Sequence, residues 1–170
     1  MSETVEIEME VEEDTQKDKF LTFFLGDEIY GIEIRFVTEI IGMQSVTEIP
    51  DIPEYVKGII NLRGKIIPVI DVRLRFKKIS KEYNDRTCIV VVDIKGVTVG
   101  LIVDTVAEVL RIPDQDIVPP PQFNNGSHYQ RFIKGIGKVD SHVKLILDCD
   151  RLLNDKEMNS LEEISSGQAD

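Results

Sequence analysis

Few side chains in this sequence could do chemistry, and their spacing decides what each can offer. Cys88 and Cys149 lack a C-x-x-C partner and lie among apolar neighbours, the setting of buried free thiols. His128 and His142 are the only histidines, and neither stands at metal-ligand spacing from a cysteine or from the other. Asp148 and Asp150 look like paired carboxylates, but a helix cap followed by a solvated residue accounts for them. Gly135-Ile136-Gly137 is too short for a nucleotide loop, and neither G-x-x-x-x-G-K-[ST] nor G-x-S-x-G occurs. No catalytic constellation remains, so no enzymatic activity, metal or cofactor is expected. The residue left to explain is Arg63.

Arg63 sits inside Lys57–Arg73, which reads K-G-I-I-N-L-R-G-K-I-I-P-V-I-D-V-R. Two runs of strand formers, Gly58–Leu62 and Lys65–Ile70, flank a tight turn at Arg63-Gly64. Glycine supplies the positive φ such a turn needs, and Asp71 can cap a following helical turn. Nothing in that scheme asks for arginine at the tip. Arg63 is therefore a candidate for recognition.

The elements around it are mostly strands. Phe20–Leu25, Glu28–Ile32, Thr87–Ile94 and Val97–Val103 are β-rich runs joined in pairs by Gly-Asp and Lys-Gly turns. Leu110–Ile112, Phe132–Val139 and Val143–Leu147 extend the pattern. Glu33–Ile41 instead places Ile34, Val37, Ile40 and Ile41 on one side of a predicted short helix. Asp155–Ser165 is expected to form a terminal helix with Met158 and Leu161 docked. Pro119-Pro120-Pro121 and Asn124-Asn125-Gly126-Ser127 mark a long loop.

Charge narrows the partners. The 170 residues carry a net −11, but residues 1–18 hold eight acids against Lys17, and 155–170 hold five against Lys156. Residues 19–154 are balanced at 18 acids and 18 bases. A neutral body lacks the positive surface on which phosphate binding depends, so no nucleic acid is expected. Arg73, Arg75, Lys77, Lys78 and Lys81 are the nearest approach to a basic patch, and they suit one solvated face of a short helix. Val5–Glu12 alternates apolar and acidic residues, but its charge density favours a disordered tail over 1–18. The sequence has no positive n-region and no apolar run long enough to span a bilayer, so a soluble, cytoplasmic protein without membrane insertion is expected.

The chain also repeats itself. Lys57–Phe76 lies without gaps on Lys134–Leu153, and Tyr30–Ile41 lies without gaps on Val99–Leu110, in the same order. The alignment matches Lys57-Gly58-Ile59 with Lys134-Gly135-Ile136, Asp71 with Asp148, Gly31 with Gly100, Val37 with Val106 and Glu39 with Glu108. Halves of this size are marginal alone, which implies a core shared between them. The repeat is also an internal control, because Arg63-Gly64 falls on Asp140-Ser141. If both halves fold alike, the turn itself does not demand arginine.

These residues resemble the CheW family of bacterial chemotaxis coupling proteins, from about Phe20 to Leu161. The resemblance rests on Phe24-Leu25-Gly26-Asp27-Glu28 with Tyr30-Gly31-Ile32, on Val37-Thr38-Glu39-Ile40, and on Lys57 through Gly64. It continues through Pro68-Val69-Ile70-Asp71-Val72-Arg73, Tyr83-Asn84-Asp85, Gly100 through Asp104, and Val109-Leu110. The chain ends soon after its second half, which suits a free-standing adaptor better than a kinase-embedded domain.

The resemblance implies a mainly β fold of two SH3-like five-stranded barrels packed around a shared core, with short helices. The expected bounds are an acidic tail over 1–18, a CheW-like domain over 19–154 with halves at about 19–82 and 85–153, and a C-terminal helix and tail over 155–170. It further implies a non-enzymatic adaptor, monomeric when free and recruited from the cytoplasm to membrane-associated receptor arrays. There it would couple chemoreceptor cytoplasmic tips to the C-terminal regulatory domain of the histidine kinase CheA. The family pattern points to Val37, Glu39, Gly58, Arg63 and Val109 as receptor-binding positions. Ile34 and Val37, with their repeat mates Val103 and Val106, are candidates for the wall of an apolar receptor groove. Glu39 and Arg63 carry opposite charges and are expected to pair, holding the guanidinium beside that groove.

Overall fold

Alternation along each strand assigns one face to a core common to the molecule and the other to a smaller core of its own sheet. The computed structural model describes residues 16–121 and 131–165. The expectations for residues 1–15, for the Asn124–Ser127 turn and for 166–170 lie outside the described residues. The strands are β1 (Lys19–Leu25), β2 (Glu28–Glu33), β3 (Val37–Gly42), β4 (Val56–Leu62), β5 (Lys65–Asp71) and β6 (Cys88–Ile94). They continue as β7 (Val97–Val103), β8 (Thr105–Arg111), β9 (Ile117–Val118), β10 (Ile133–Val139) and β11 (His142–Leu147). The α-helices are α1 (Val72–Arg75), α2 (Cys149–Leu152) and α3 (Asp155–Ser165).

Two sheets result, ordered β8-β1-β2-β11-β10-β9 and β3-β6-β7-β5-β4. They have six and five strands and do not close into complete barrels, though the fold is mainly β and SH3-like as expected. In the five-stranded sheet, two backbone hydrogen bonds of 2.9 Å between Thr47 and Ile59 partly tie the chain beyond β3 to β4. The six-stranded sheet has the equivalent contact as the short strand β9, pairing Val118 with Ile136.

The sheets do not follow the contiguous halves at about 19–82 and 85–153. The β1–β2 hairpin of the first half lies between β8 and β11, while the β6–β7 hairpin of the second lies between β3 and β5. Each half thus inserts its first hairpin into the other's sheet, through the parallel pairs β2–β11 and β5–β7. Neither half can complete its sheet without the other, the physical form of the shared core.

That core draws on both sheets. Phe23, Tyr30 and Ile32 meet Val90, Val92, Val99 and Leu101 there, with Phe132 and Leu152. Tyr30 packs edge-on to Phe76 at 5.5 Å between centroids, and Phe76 stacks on Phe132 at 5.3 Å. The opposite faces of the same strands fill the sheet interiors: Ile60, Ile67, Val69 and Ile89 in one, and Phe20, Ile112 and Ile146 in the other. Complete burial of such a side chain stabilises the fold by about 1.5–3 kcal/mol.

The repeat is visible in local detail. Asp71 accepts from the Arg73 N–H at 2.9 Å to cap α1, and Asp148 accepts from the Asp150 N–H at 3.1 Å to cap α2. β3 bulges between Val37 and Glu39 against β6, and β8 is irregular at the matching place against β1. Gly31 and Gly100 both sit where side chains from a neighbouring strand press close: a Cβ on Gly100 would lie 2.8 Å from Val69.

Three local expectations need correction. Glu33–Ile41 is not a helix: a 3-10 turn at Ile34–Phe36 runs directly into β3. The turn and the bulge together imitate a helical spacing, while β-branched Val37, Thr38, Ile40 and Ile41 favour the strand. Second, Arg73, Arg75, Lys78 and Lys81 do not form a solvated basic face. Arg73 and Lys81 meet Asp104, Lys78 meets Glu28, and Arg75 is buried against Glu157. Third, Cys88 is half-buried rather than buried, whereas burial pushes the Cys149 thiol up to about 12.

α3 forms as expected, with Met158 and Leu161 buried. Asn154 and Glu157 make a reciprocal capping box at its start, each accepting a 2.8 Å hydrogen bond from the other's backbone N–H.

Candidate docking surface

The tip between β4 and β5 is built by backbone demands. Arg63 and Gly64 take φ values of 52° and 85°, and the Asn61 side chain accepts from the Gly64 N–H at 2.8 Å. Asp140 occupies the same place in the second hairpin with φ 58°. The left-handed φ at this position is therefore common to both tips, whereas Ser141, unlike Gly64, does not follow it with a second positive φ; the arginine is specific to one tip.

Arg63 projects from this tip with 70% of its side chain exposed, and its Nη2 donates to the Glu39 carboxylate. Glu39 is on β3 and Arg63 beyond β4, the two outer strands of their sheet. The ion pair therefore spans the sheet's open side, next to the Thr47–Ile59 tie. In the second half the corresponding residues are Glu108 and Asp140, both acidic, so this charge pairing belongs to the first sheet alone.

Gly58 has a backbone reason to be glycine. Its φ is +146°, and a Cβ would stand 2.1 Å from the Thr47 carbonyl oxygen. Gly58 is buried, so its contribution to the surface is to let the chain at Thr47 approach β4.

The apolar candidates divide by burial. Ile34, Val37 and Val106 are half-buried and pack on the edge of the shared core, so they line the rim where the two sheets meet solvent. Val103 is 1% exposed and belongs to that core, which removes it from any open groove wall. It ends β7, where the inward face points at the opposite sheet. Val109 is 50% exposed on the outer strand β8.

One residue escaped the sequence reading. Ile40 is 44% exposed on β3, beside Glu39, and its repeat mate is Val109. The register that places Tyr30–Ile41 on Val99–Leu110 already pairs them. Assigning Ile40 to the inner face of a helix concealed it.

Also unanticipated were two charge clusters that lock the halves together. Arg73 grips Asp104 with Nε at 2.7 Å from Oδ1 and Nη2 at 2.5 Å from Oδ2, and the Gly26 N–H adds a bond of 2.7 Å. Burial raises the Asp104 pKa, but the bonds from Arg73 and Gly26 outweigh it and leave the carboxyl below its ordinary range. Arg75 lies between the rings of Tyr55 and Phe132, at 4.4 and 4.9 Å, and donates to Glu157 and to the Leu152 carbonyl, each at 2.8 Å. Glu157 also accepts from the Tyr55 hydroxyl. These groups fasten α1 and α3; their saturated bonding suits them to holding the scaffold.

The candidate surface is therefore divided among a neutralised charge pair at one hairpin tip, half-buried aliphatics on the edge of the shared core, and Ile40 and Val109, exposed on the outer strands of different sheets. It offers complementarity to a protein side chain or helix face.

Comparison with known proteins places this geometry in context. A family model described as CheW-like domain matches residues 19–157. The chain is 34% identical over 152 residues to the chemotaxis protein CheW of Klebsiella aerogenes, covering 89% of this chain and 91% of that one. It is also 34% identical over 150 residues to the chemotaxis protein CheW of Treponema pallidum, covering 86% and 88%. The crystal structure of the scaffolding protein TtCheW from Thermoanaerobacter tengcongensis matches with a TM-score of 0.75 and 41% identity, over 83% of this chain and 97% of that one.

Proposed function

This chain belongs to the CheW-like family, a family of chemotaxis adaptors, and on that premise we propose that it joins chemoreceptor cytoplasmic tips to the C-terminal regulatory domain of the kinase CheA. The adaptor acts by contact, without catalysis, as a monomer drawn from the cytoplasm to receptor arrays at the membrane. Among the described residues, no helix is long and apolar enough to cross a membrane.

The observation that carries the reading is the asymmetry of the two hairpin tips. The same left-handed φ is held by Arg63 at one tip and by Asp140 at the other, and Arg63 stands exposed against Glu39 on the first sheet's open side. A guanidinium held by Glu39, on the strand that also carries half-buried Val37 and exposed Ile40, is a means of recognition that folding does not require. Receptor contact is assigned to Ile34, Val37, Glu39, Arg63, Val106 and Val109. Gly58 acts through the backbone, and Val103 supports the surface from the core. A stable contact of this kind buries about 1,200–2,000 Å².

Immobilised receptor cytoplasmic fragment and immobilised kinase regulatory domain provide the test. Retention of the chain on both matrices is the expected result. A folded sample retained by neither would remove the proposal.

A further inference from the structure

Ile79 is 87% exposed, more than any other large apolar side chain among the described residues, yet the chain around it is held in place. Its carbonyl accepts from Arg73 Nη1 at 3.1 Å, and the Lys77 and Lys78 N–H groups donate to the Leu74 and Arg73 carbonyls at 3.0 and 2.8 Å. Lys78 pairs with Glu28 and Lys81 lies 3.8 Å from Asp104, while exposed Lys77 has no ion-pair partner among the described residues. The fold thus presents an aliphatic knob beside a cation, already ordered before any contact is made.

A complement to this knob exists on the same molecule. A groove of about 1070 Å³ runs between the segment 49–53 and α3, floored by Ile49, Ile52, Ile59, Leu161 and Ile164. One bank is acidic: Glu48, Asp51 and Glu54 are exposed there, and no base occurs from Gln44 to Val56. The other bank is α3, which contributes Glu163, Lys156 and Glu157, the last already bound by Arg75. Such a groove suits an aliphatic side chain flanked by a cation and disfavours an acidic segment, the α3 of another copy included. Knob and groove leave α1 in different directions. Arg73, which anchors the knob, and Arg75, which meets Tyr55 and Glu157 at the groove, are two residues apart and do not share a face.

We propose that the Lys77–Lys81 loop of one copy of this chain seats Ile79 in the groove between 49–53 and α3 of a second copy, with Lys77 toward Asp51 and Glu54. The two contacting surfaces differ, so the association is head-to-tail and repeats through further copies. One knob with its lysine stems buries less than the roughly 1,200 Å² of a stable interface, so the expected dissociation constant is about 0.1–1 mM. The chain is then monomeric when dilute and associates where it is concentrated. The contact uses none of Val37, Glu39 and Arg63 and does not depend on the receptor role proposed for them.

Sedimentation equilibrium of the full chain tests this, with two variants at exposed positions. Ile79→Asp removes the knob. Ser160→Arg, on the exposed face of α3 that lines the groove, blocks the groove and adds a cation. Wild-type chain at about 1 mM is expected to show a weight-average mass about two-fold that of the monomer or more. Each variant alone is expected to stay near the monomer mass. An equimolar mixture of the two is expected to recover association limited to dimers, because one keeps the groove and the other keeps the knob. A wild type that stays monomeric would overturn the proposal, as would either variant associating as the wild type does. A mixture that stays monomeric while the wild type associates would also overturn it, since that is the behaviour of a single self-complementary patch.

Discussion

Replacing Arg63 with aspartate reverses the charge at the hairpin tip while using a residue the fold already accepts at that place. Asp140 holds the corresponding φ of 58°, against 52° at Arg63, so the turn carries no new backbone cost. The Arg63–Glu39 pair is 70% and 30% exposed, and such a pair contributes about 0.2–1 kcal/mol after solvent screening. Reversal adds a repulsion of similar size, so the expected loss is about 1 kcal/mol, or about 2–4 °C in Tm for a chain of this size. At a docking surface the same reversal removes a charge-assisted contact and opposes its partner, and receptor affinity should fall about ten-fold or more, equivalent to about 1.4 kcal/mol. Calorimetry and titration with a receptor fragment measure the two effects separately. Combining Glu39→Arg with Arg63→Glu restores the pair and tests whether the residues act as a unit. A large drop in Tm, or full receptor affinity in the Arg63→Asp protein, would refute the assignment of Arg63 to recognition.

Other substitutions should behave differently. Arg75→Ala leaves Glu157 without its buried cation and removes the contact with Tyr55 and Phe132, so denaturant unfolding should show a loss of about 3 kcal/mol or more, in contrast to Arg63. Gly58→Ala forces a Cβ onto the Thr47 carbonyl and should destabilise by about 3 kcal/mol in the same assay. The folded-state pKa of Asp104 is depressed, so its contribution is complete above the unfolded value near 3.8 and is lost as pH falls through the lower folded value. Acid unfolding profiles of Asp104→Asn should accordingly lack part of the decline below about pH 4–5 seen in the wild type. Cys149, buried and held protonated to about pH 12, should resist a thiol reagent at pH 8 until the protein unfolds, so native labelling is confined to Cys88.

The sequence disclosed most where local chemistry decides the structure. The Gly58–Ile70 hairpin, the Asp71 and Asp148 caps, and α3 with Met158 and Leu161 follow from alternation, turn residues and helical spacing alone. The repeat register extended this reach, since it pairs the irregularities in β3 and β8 and the tips at Arg63 and Asp140. Long-range pairing was less legible. Either half could have kept its own first hairpin, because Tyr30 and Val99 offer equally apolar faces, and only the three-dimensional packing shows the exchange. Val103 was assigned to a groove wall for the same reason: an aliphatic residue at a strand end reads alike whether it faces solvent or a second sheet. Arg75 hid its burial because the rings that enclose it, Tyr55 and Phe132, lie far away in sequence. The Glu39–Arg63 contact was foreseeable from charge and family pattern, whereas Ile40 was obscured by a bulge mistaken for helical periodicity.

Simultaneous occupancy is the most direct test of the account. Sedimentation of the purified chain with a receptor cytoplasmic fragment and the CheA regulatory domain should yield one boundary containing all three proteins. Two binary complexes that exclude each other at every ratio, with the third protein left free, would contradict it.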